Sequence, residues 1–229
     1  MQNINEIYLK SGISDKGIKR YRCNYSLEEC IEICKEIGQK ILGEDRKFSI
    51  DGENYYSYKN TIQWVFGDKD SEFDLKKGLF FHGVTGTGKT MMIEIINTVI
   101  QVVTDGYGIR FISDGKPCTL NLKTTPLPLL TQNAIFNKDF ELYQNAMKYR
   151  SIFLDEIGSV AEIKQLNIFG NIVQAFPSII ASREYFSGLM ICTSNLTREQ
   201  ILKEYGDMTE SRLTKMCTFI ECTGTDRRK

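Results

Sequence analysis

Residues 81–90 read FHGVTGTGKT, and few folds are open to a chain that carries this decapeptide. The glycines let the backbone curl so that successive N–H groups turn inward, and the segment TMMIEIINTVIQVV after them reads as a helix whose positive end faces the same point. Ahead of the loop, GLFFHG has the unbroken apolar character of a buried strand. From Gly83 to Thr90 the pattern is G-x-x-x-x-G-K-[ST], which cradles the phosphates of a nucleoside triphosphate. The expected phosphate-binding set is Gly83, Val84, Thr85, Gly86, Thr87, Gly88, Lys89, Thr90 and Met91. Lys89 would reach the β- and γ-phosphates, and Thr90 would hold Mg²⁺. Such a loop serves small-molecule kinases, switches and motors alike.

The metal needs a second acid at the end of an adjacent apolar strand, and SIFLDEIG supplies one. Asp155 would hold Mg²⁺, directly or through water, and Glu156 would polarise an attacking water. A kinase that transfers phosphate to a substrate hydroxyl has no need of that second carboxylate, so the pair argues for hydrolysis. The plain alternative is a strand followed by two solvated acids. GLMICTSN ends in Ser194 and Asn195, where an amide at a strand tip could hold the water or sense the γ-phosphate, or could simply make a turn. In YGDMTESRLTKM, Thr209 or Glu210 would open a short helix with Arg212 in its first turns. That arginine either reaches the γ-phosphate of a neighbouring subunit or pairs with Glu210 or Asp207 on the surface.

The remaining sequence bounds the rest. At 229 residues, 41% hydrophobic and 25% charged, the chain can bury one substantial core with room for a small appended domain, and the boundary of the nucleotide-binding domain is expected near residue 70. The division is then an N-terminal accessory or partner-binding segment, 1–70, and a nucleotide-binding domain, 71–229. Lys and Arg number 29 and Asp and Glu 29, so any contact with nucleic acid must be a local patch. The apolar run from Met91 to Val103 is too short for a membrane span, and MQNINEIYLK lacks the order of a secretory signal, so a cytoplasmic protein is expected. Seven cysteines with no C-x-x-C pair and a single histidine, His82, suit reduced thiols better than structural zinc.

Along the chain, Ser26 and Glu29 form a capping box ahead of a helix over residues 26–42. IRFIS, residues 109–113, reads as the strand that completes a βαβ unit with a parallel sheet, which makes the fold α/β. Residues 114–133 hold three of the four prolines and show no period, as a functional loop or a misread segment would. KDFELYQNAMKY reads as a helix, KQLNIFGNIVQAF as a further amphipathic segment and MCTFIECTG as a last strand.

Taken in order, GVTGTGKT, FLDEIGSV, MICTSNLT, YGDMTESRL and the terminal GTDRR resemble the AAA+ ATPase core of the DnaC/DnaI-type helicase loaders and of the similar IstB transposition ATPases, over roughly residues 75–229. The resemblance implies a P-loop AAA+ fold without the helical lid, using ATP and Mg²⁺, with a site shared between subunits of a homo-oligomeric ring or spiral. It implies Lys89, Thr90, Asp155 and Glu156 in cis, Asn195 as sensor, Arg212 acting in trans and Arg227 on the arginine of a C-terminal G-x-x-R pattern. Implied partners are a replicative helicase and single-stranded DNA. Two departures stand out: the stretch 114–133 partly replaces the family's helix before the acidic strand, and the first 70 residues match neither the zinc-bearing N-terminal domain of one loader branch nor, recognisably, the helicase-gripping helices of another. Within that segment KRYR at 19–22 could touch phosphates and bases or be a solvated loop, the 26–42 helix could dock on a helicase or on its own domain, and Tyr55, Tyr56, Tyr58 and Trp64 could pack near the adenine. Loading a replicative helicase is the leading expectation. The alternatives are target-DNA selection for a transposase, a small-molecule kinase, and a nucleotide-gated binding module that scarcely turns over.

Overall fold

The computed structural model describes residues 25–227, apart from 105, 114–115, 121–123, 169 and 187–188. KRYR and Cys23 lie outside the described residues.

Five strands form the central sheet: β1 (Gly78–His82), β4 (Thr124–Pro126), β5 (Ser151–Ile157), β8 (Leu189–Ser194) and β9 (Cys217–Glu221). Their order is β4-β5-β8-β1-β9 and every pairing is parallel. Parallel strands need covered faces, and the alternation within β1 shows how this sheet gets them. Leu79 and Phe81 face one apolar cluster while Phe80 between them faces the other. The first cluster is roofed by α1 (Leu27–Leu42), α2 (Tyr55–Val65) and α3 (Lys89–Val103). The second is covered by α4 (Leu127–Phe136), α5 (Glu141–Lys148), α6 (Ala175–Phe186), α7 (Arg198–Tyr205) and α8 (Asp207–Met216). The result is a three-layer α/β sandwich.

Local sequence chemistry sets the elements. Ser26 and Glu29 cap α1 reciprocally, as their spacing predicts. Thr197 and Gln200 do the same for α7. Helix α3 buries Met92, Ile93, Ile95, Ile96, Val99 and Ile100, each worth about 1.5–3 kcal/mol on burial. Cys30, Ile31 and Cys34 of α1 and Tyr58, Ile62, Trp64 and Val65 of α2 enter the same cluster, so both helices share a core with β1 and α3.

The structure corrects the sequence reading in four places. β2 (Arg110–Ser113) does not join the central sheet; it forms an antiparallel hairpin with β3 (Lys116–Thr119), and the strand that completes the crossover after α3 is the short β4. The described part of residues 114–133 is therefore β3, β4 and the start of α4. Its prolines sit in β3, at the N-cap of α4 (Pro126) and in that helix's first turn (Pro128), where a missing N–H costs nothing. Its second half opens a regular helix, α4, over Leu127–Phe136. The segment KQLNIFGNIVQAF is a hairpin of β6 (Gln165–Ile168) and β7 (Asn171–Gln174) running into α6, with Gly170 at φ 86° in its turn. Finally, α8 starts at Asp207, after Gly206, rather than at Thr209 or Glu210.

Candidate nucleotide site

The carboxyl ends of β5, β8 and β1 converge on one crevice, the usual position for a ligand site in an open α/β sheet. After β1 the chain turns through Gly83 at φ 140°, where a β-carbon would stand 2.3 Å from the Cys222 carbonyl oxygen; only glycine fits there. Gly88 at φ 85° then caps α3, so the first N–H groups of that helix face the crevice. Lys89 is buried, and its ammonium donates to the carbonyls of Gly83 at 2.8 Å and Val84 at 2.9 Å and to Thr87 Oγ1 at 3.4 Å. The lysine thus lies along its own loop, with its charge held by acceptors that a phosphate oxygen can replace.

Beside it, Thr90 Oγ1 donates to Asp155 Oδ1 at 2.9 Å, which joins the loop to β5. Thr193 on β8 also donates its hydroxyl to Asp155 Oδ1, and its Oγ1 accepts the Glu156 N–H at 3.2 Å. In a regular strand, adjacent side chains point to opposite faces, so Asp155 and Glu156 could not serve one site. A bulge resolves this: the register slips between Leu154 and Ile157, and Glu156 takes a left-handed φ of 59°. Asp155 stays buried and Glu156 is exposed, yet both line the same cavity of about 460 Å³. Thr90 and Asp155 present hard oxygen donors, the set Mg²⁺ takes when phosphates complete its shell. Among the described residues no cluster of three or more His, Cys, Asp or Glu could hold a metal by itself.

The other expected residues fall in two groups. Thr85, Gly86, Thr87, Gly88, Thr90, Met91, Asn195 and Arg227 line the cavity, whereas Gly83 and Val84 contribute the carbonyls that hold Lys89. Arg212 does not line it. Its Nε donates to Glu184 Oε2 on α6 at 3.0 Å, where Lys215 also binds, and its expected partners are engaged otherwise: Glu210 pairs with Arg198. Arg227 lies at the rim. Its guanidinium grips Asp51 through two bonds of 3.0 and 2.8 Å and Glu53 at 3.3 Å, and its backbone N–H donates to Gly86 O at 3.0 Å. The Arg227 hydrogen bonds hold the Asp51 carboxyl well below the usual carboxylate range, and Asp51 in turn raises the arginine.

Sequence reading missed a whole wall. Arg46, Lys47, Phe48, Ser49 and Asn54 line the cavity from the segment between α1 and α2, and Cys222 and Thr223 line it from the chain after β9. Of the four aromatic residues suggested for the base, Tyr58 lines the cavity. Tyr55, Tyr56 and Trp64 do not, and the indole N–H of Trp64 donates to the carbonyls of Asp74 and Lys77 in the core. The basic-aromatic run Arg46-Lys47-Phe48 was the available signal, since positive charge beside an aromatic ring suits a phosphate and a base.

No family model and no curated protein matches the chain. Solved structures do. One described as DnaI is 18% identical with a TM-score of 0.53 over 83% of this chain and 93% of that one. A second, the DnaC helicase loader, is 15% identical with a TM-score of 0.53 over 77% of this chain and 94% of that one. On that likeness, and on the phosphate loop, bulged acidic strand and parallel sheet above, the chain has the P-loop AAA+ fold of the DnaC/DnaI type.

Proposed function

We propose that this protein is a Mg²⁺-dependent ATPase acting in DNA replication, and that it loads a replicative helicase onto single-stranded DNA. The observation that carries the ATPase reading is the bulge that brings Asp155 and Glu156 into one cavity with Lys89 and Thr90. Lys89 exchanges its loop carbonyls for β- and γ-phosphate oxygens, and the α3 N-terminus adds its positive end. Thr90 and Asp155 would hold Mg²⁺, which when bound neutralises charge on those phosphates. Glu156, exposed at the cavity wall, accepts the proton of a water held against the γ-phosphate, and Asn195 orients that water. The likeness in fold to a protein described as a helicase loader supports the loading step.

Residues 71–229 form the proposed AAA+ core. Residues 1–70 form an accessory segment that also walls the nucleotide and supplies contacts for the helicase. Arg212 stands away from its own cavity, which supports a role at the site of a neighbouring copy in a ring or spiral.

The test is ATP turnover per subunit as protein concentration rises, with and without single-stranded DNA. Turnover that climbs with both, and that falls at least about tenfold in Arg212→Ala while nucleotide binding is kept, is the expected result. A flat, DNA-independent rate in the wild type would point to a kinase or a switch complete in one chain.

A further inference from the structure

Among the described residues, Glu162 is the one buried carboxylate near the site that the hydrolysis scheme leaves without a task. It follows β5 by five residues and is 7% exposed. Its Oε2 accepts the Gly158 N–H at 2.9 Å and the Tyr205 hydroxyl at 2.5 Å, while Oε1 is buried with no hydrogen-bond partner among the described residues. Burial pushes its pKa up, against the pull of the Tyr205 hydroxyl, the Gly158 N–H and Lys164. A half-satisfied buried carboxylate is costly, and packing alone is served better by an apolar side chain. Such a group calls for a reason in the two elements it joins.

One is the backbone that carries Glu156. Glu156 and Gly158 both have positive φ, 59° and 76°, and the turn closes through Ser159 N to Glu156 O at 3.1 Å and Glu162 N to Ser159 O at 3.0 Å. Gly158 also abuts Leu196, the residue after Asn195; a β-carbon on it would stand 2.2 Å from Leu196 Cδ1. The other is the joint between α7 and α8. Tyr205 ends α7, its ring packs edge-on against Phe176, and Gly206 opens α8, which bears Arg212.

We propose that Glu162 is a positioning residue: one carboxylate holds the strained turn behind Glu156 and ties it to the α7–α8 joint. A shift of α8 when Arg212 engages a neighbouring subunit is then transmitted to the water-activating carboxylate through the Tyr205 hydroxyl. The effect on turnover rests on the ATPase reading above; the mechanical link does not.

The experiment is amide hydrogen exchange across residues 155–163 of the full chain, with ATP turnover and nucleotide affinity measured in parallel. Tyr205→Phe keeps the ring on Phe176 and removes only the hydroxyl. Exchange at Gly158 about fivefold faster, with the rest of the sheet unchanged, is expected from it and from Glu162→Leu, while Glu162→Gln, which keeps an acceptor, stays near the wild type. In Tyr205→Phe, kcat should fall about tenfold with affinity held within about twofold. Unchanged exchange at Gly158 in Tyr205→Phe overturns the proposal, and so does faster exchange spread over the whole sheet, which marks a packing role. A wild type without ATP turnover defeats the ATPase reading, and the exchange data still decide the link.

Discussion

Glu156 is where one backbone angle decides chemistry. Its left-handed φ lets two consecutive acids serve one cavity, and its backbone N–H leans on the Thr193 hydroxyl that also binds Asp155. Glu156→Gln keeps the same β-carbon and the same strain, so folding and nucleotide affinity should hold while turnover drops by about 10² to 10⁴, the weight of a general base. Single-turnover hydrolysis beside a binding titration reads the two separately, and equal loss of both would mean that Glu156 serves structure. The acids themselves were legible because Asp155 and Glu156 close an apolar strand. The bulge was not, since nothing in SIFLDEIG announces a register slip; it arises from pairing with β8, which is distant in sequence.

At the scale of elements, α1 meets the cavity at its last residue, Leu42, and also through the Phe48 ring packed on it. The ring of Phe48, which lines that cavity, lies over the backbone of Gly38 on the buried face of α1, so close that a β-carbon there would stand 2.5 Å from the ring. Alanine is the better helix former by about 1 kcal/mol, yet here it must displace Phe48, and overpacking costs about 1–3 kcal/mol. Gly38→Ala should therefore leave the melting temperature level or lower it by a few degrees, and should weaken nucleotide binding. Calorimetry with a nucleotide titration checks both, and unchanged binding would show that Phe48 does not bear on the nucleotide. Elements with strong local signals were readable in advance: the capping box of α1, the apolar run of α3 and the buried strands β1, β5 and β8. The misread ones share a physical cause. Leu166, Phe169, Ile172 and Val173 fall at helical spacing although the chain makes a hairpin, and β4 has only three residues, one of them proline. IRFIS looks like any sheet strand; only its pairing with β3 removes it from the sheet.

For the molecule as a whole, the thiols report on integrity. Cys30, Cys34, Cys192, Cys217 and Cys222 are buried, and Cys118 is partly exposed. Burial pushes Cys34 and Cys217 up to about 12 and Cys222 up to about 11, so their thiolates are scarce near neutral pH. In a native protein at pH 8 an alkylating reagent should therefore reach Cys118 well before these three, and mass spectrometry after timed quenching follows each. ATP at about 100 times its Kd should slow labelling of Cys34, Cys217 and Cys222 together by about a hundredfold, since exposure then needs global opening. Slowing confined to Cys222, which lines the cavity, would mark a local release of the chain after β9.

The grip of Arg227 on Asp51 and Glu53 joins positions 176 and 174 residues apart along the chain. During synthesis the phosphate loop, the acidic strand and most of the sheet can leave the ribosome and pack while this rim is still missing, because long-range closures come late. The proposed pocket therefore gains its rim late: a nascent chain reaching no further than β9 would carry Lys89, Thr90, Asp155, Glu156 and Asn195 and still lack the Arg227 clasp.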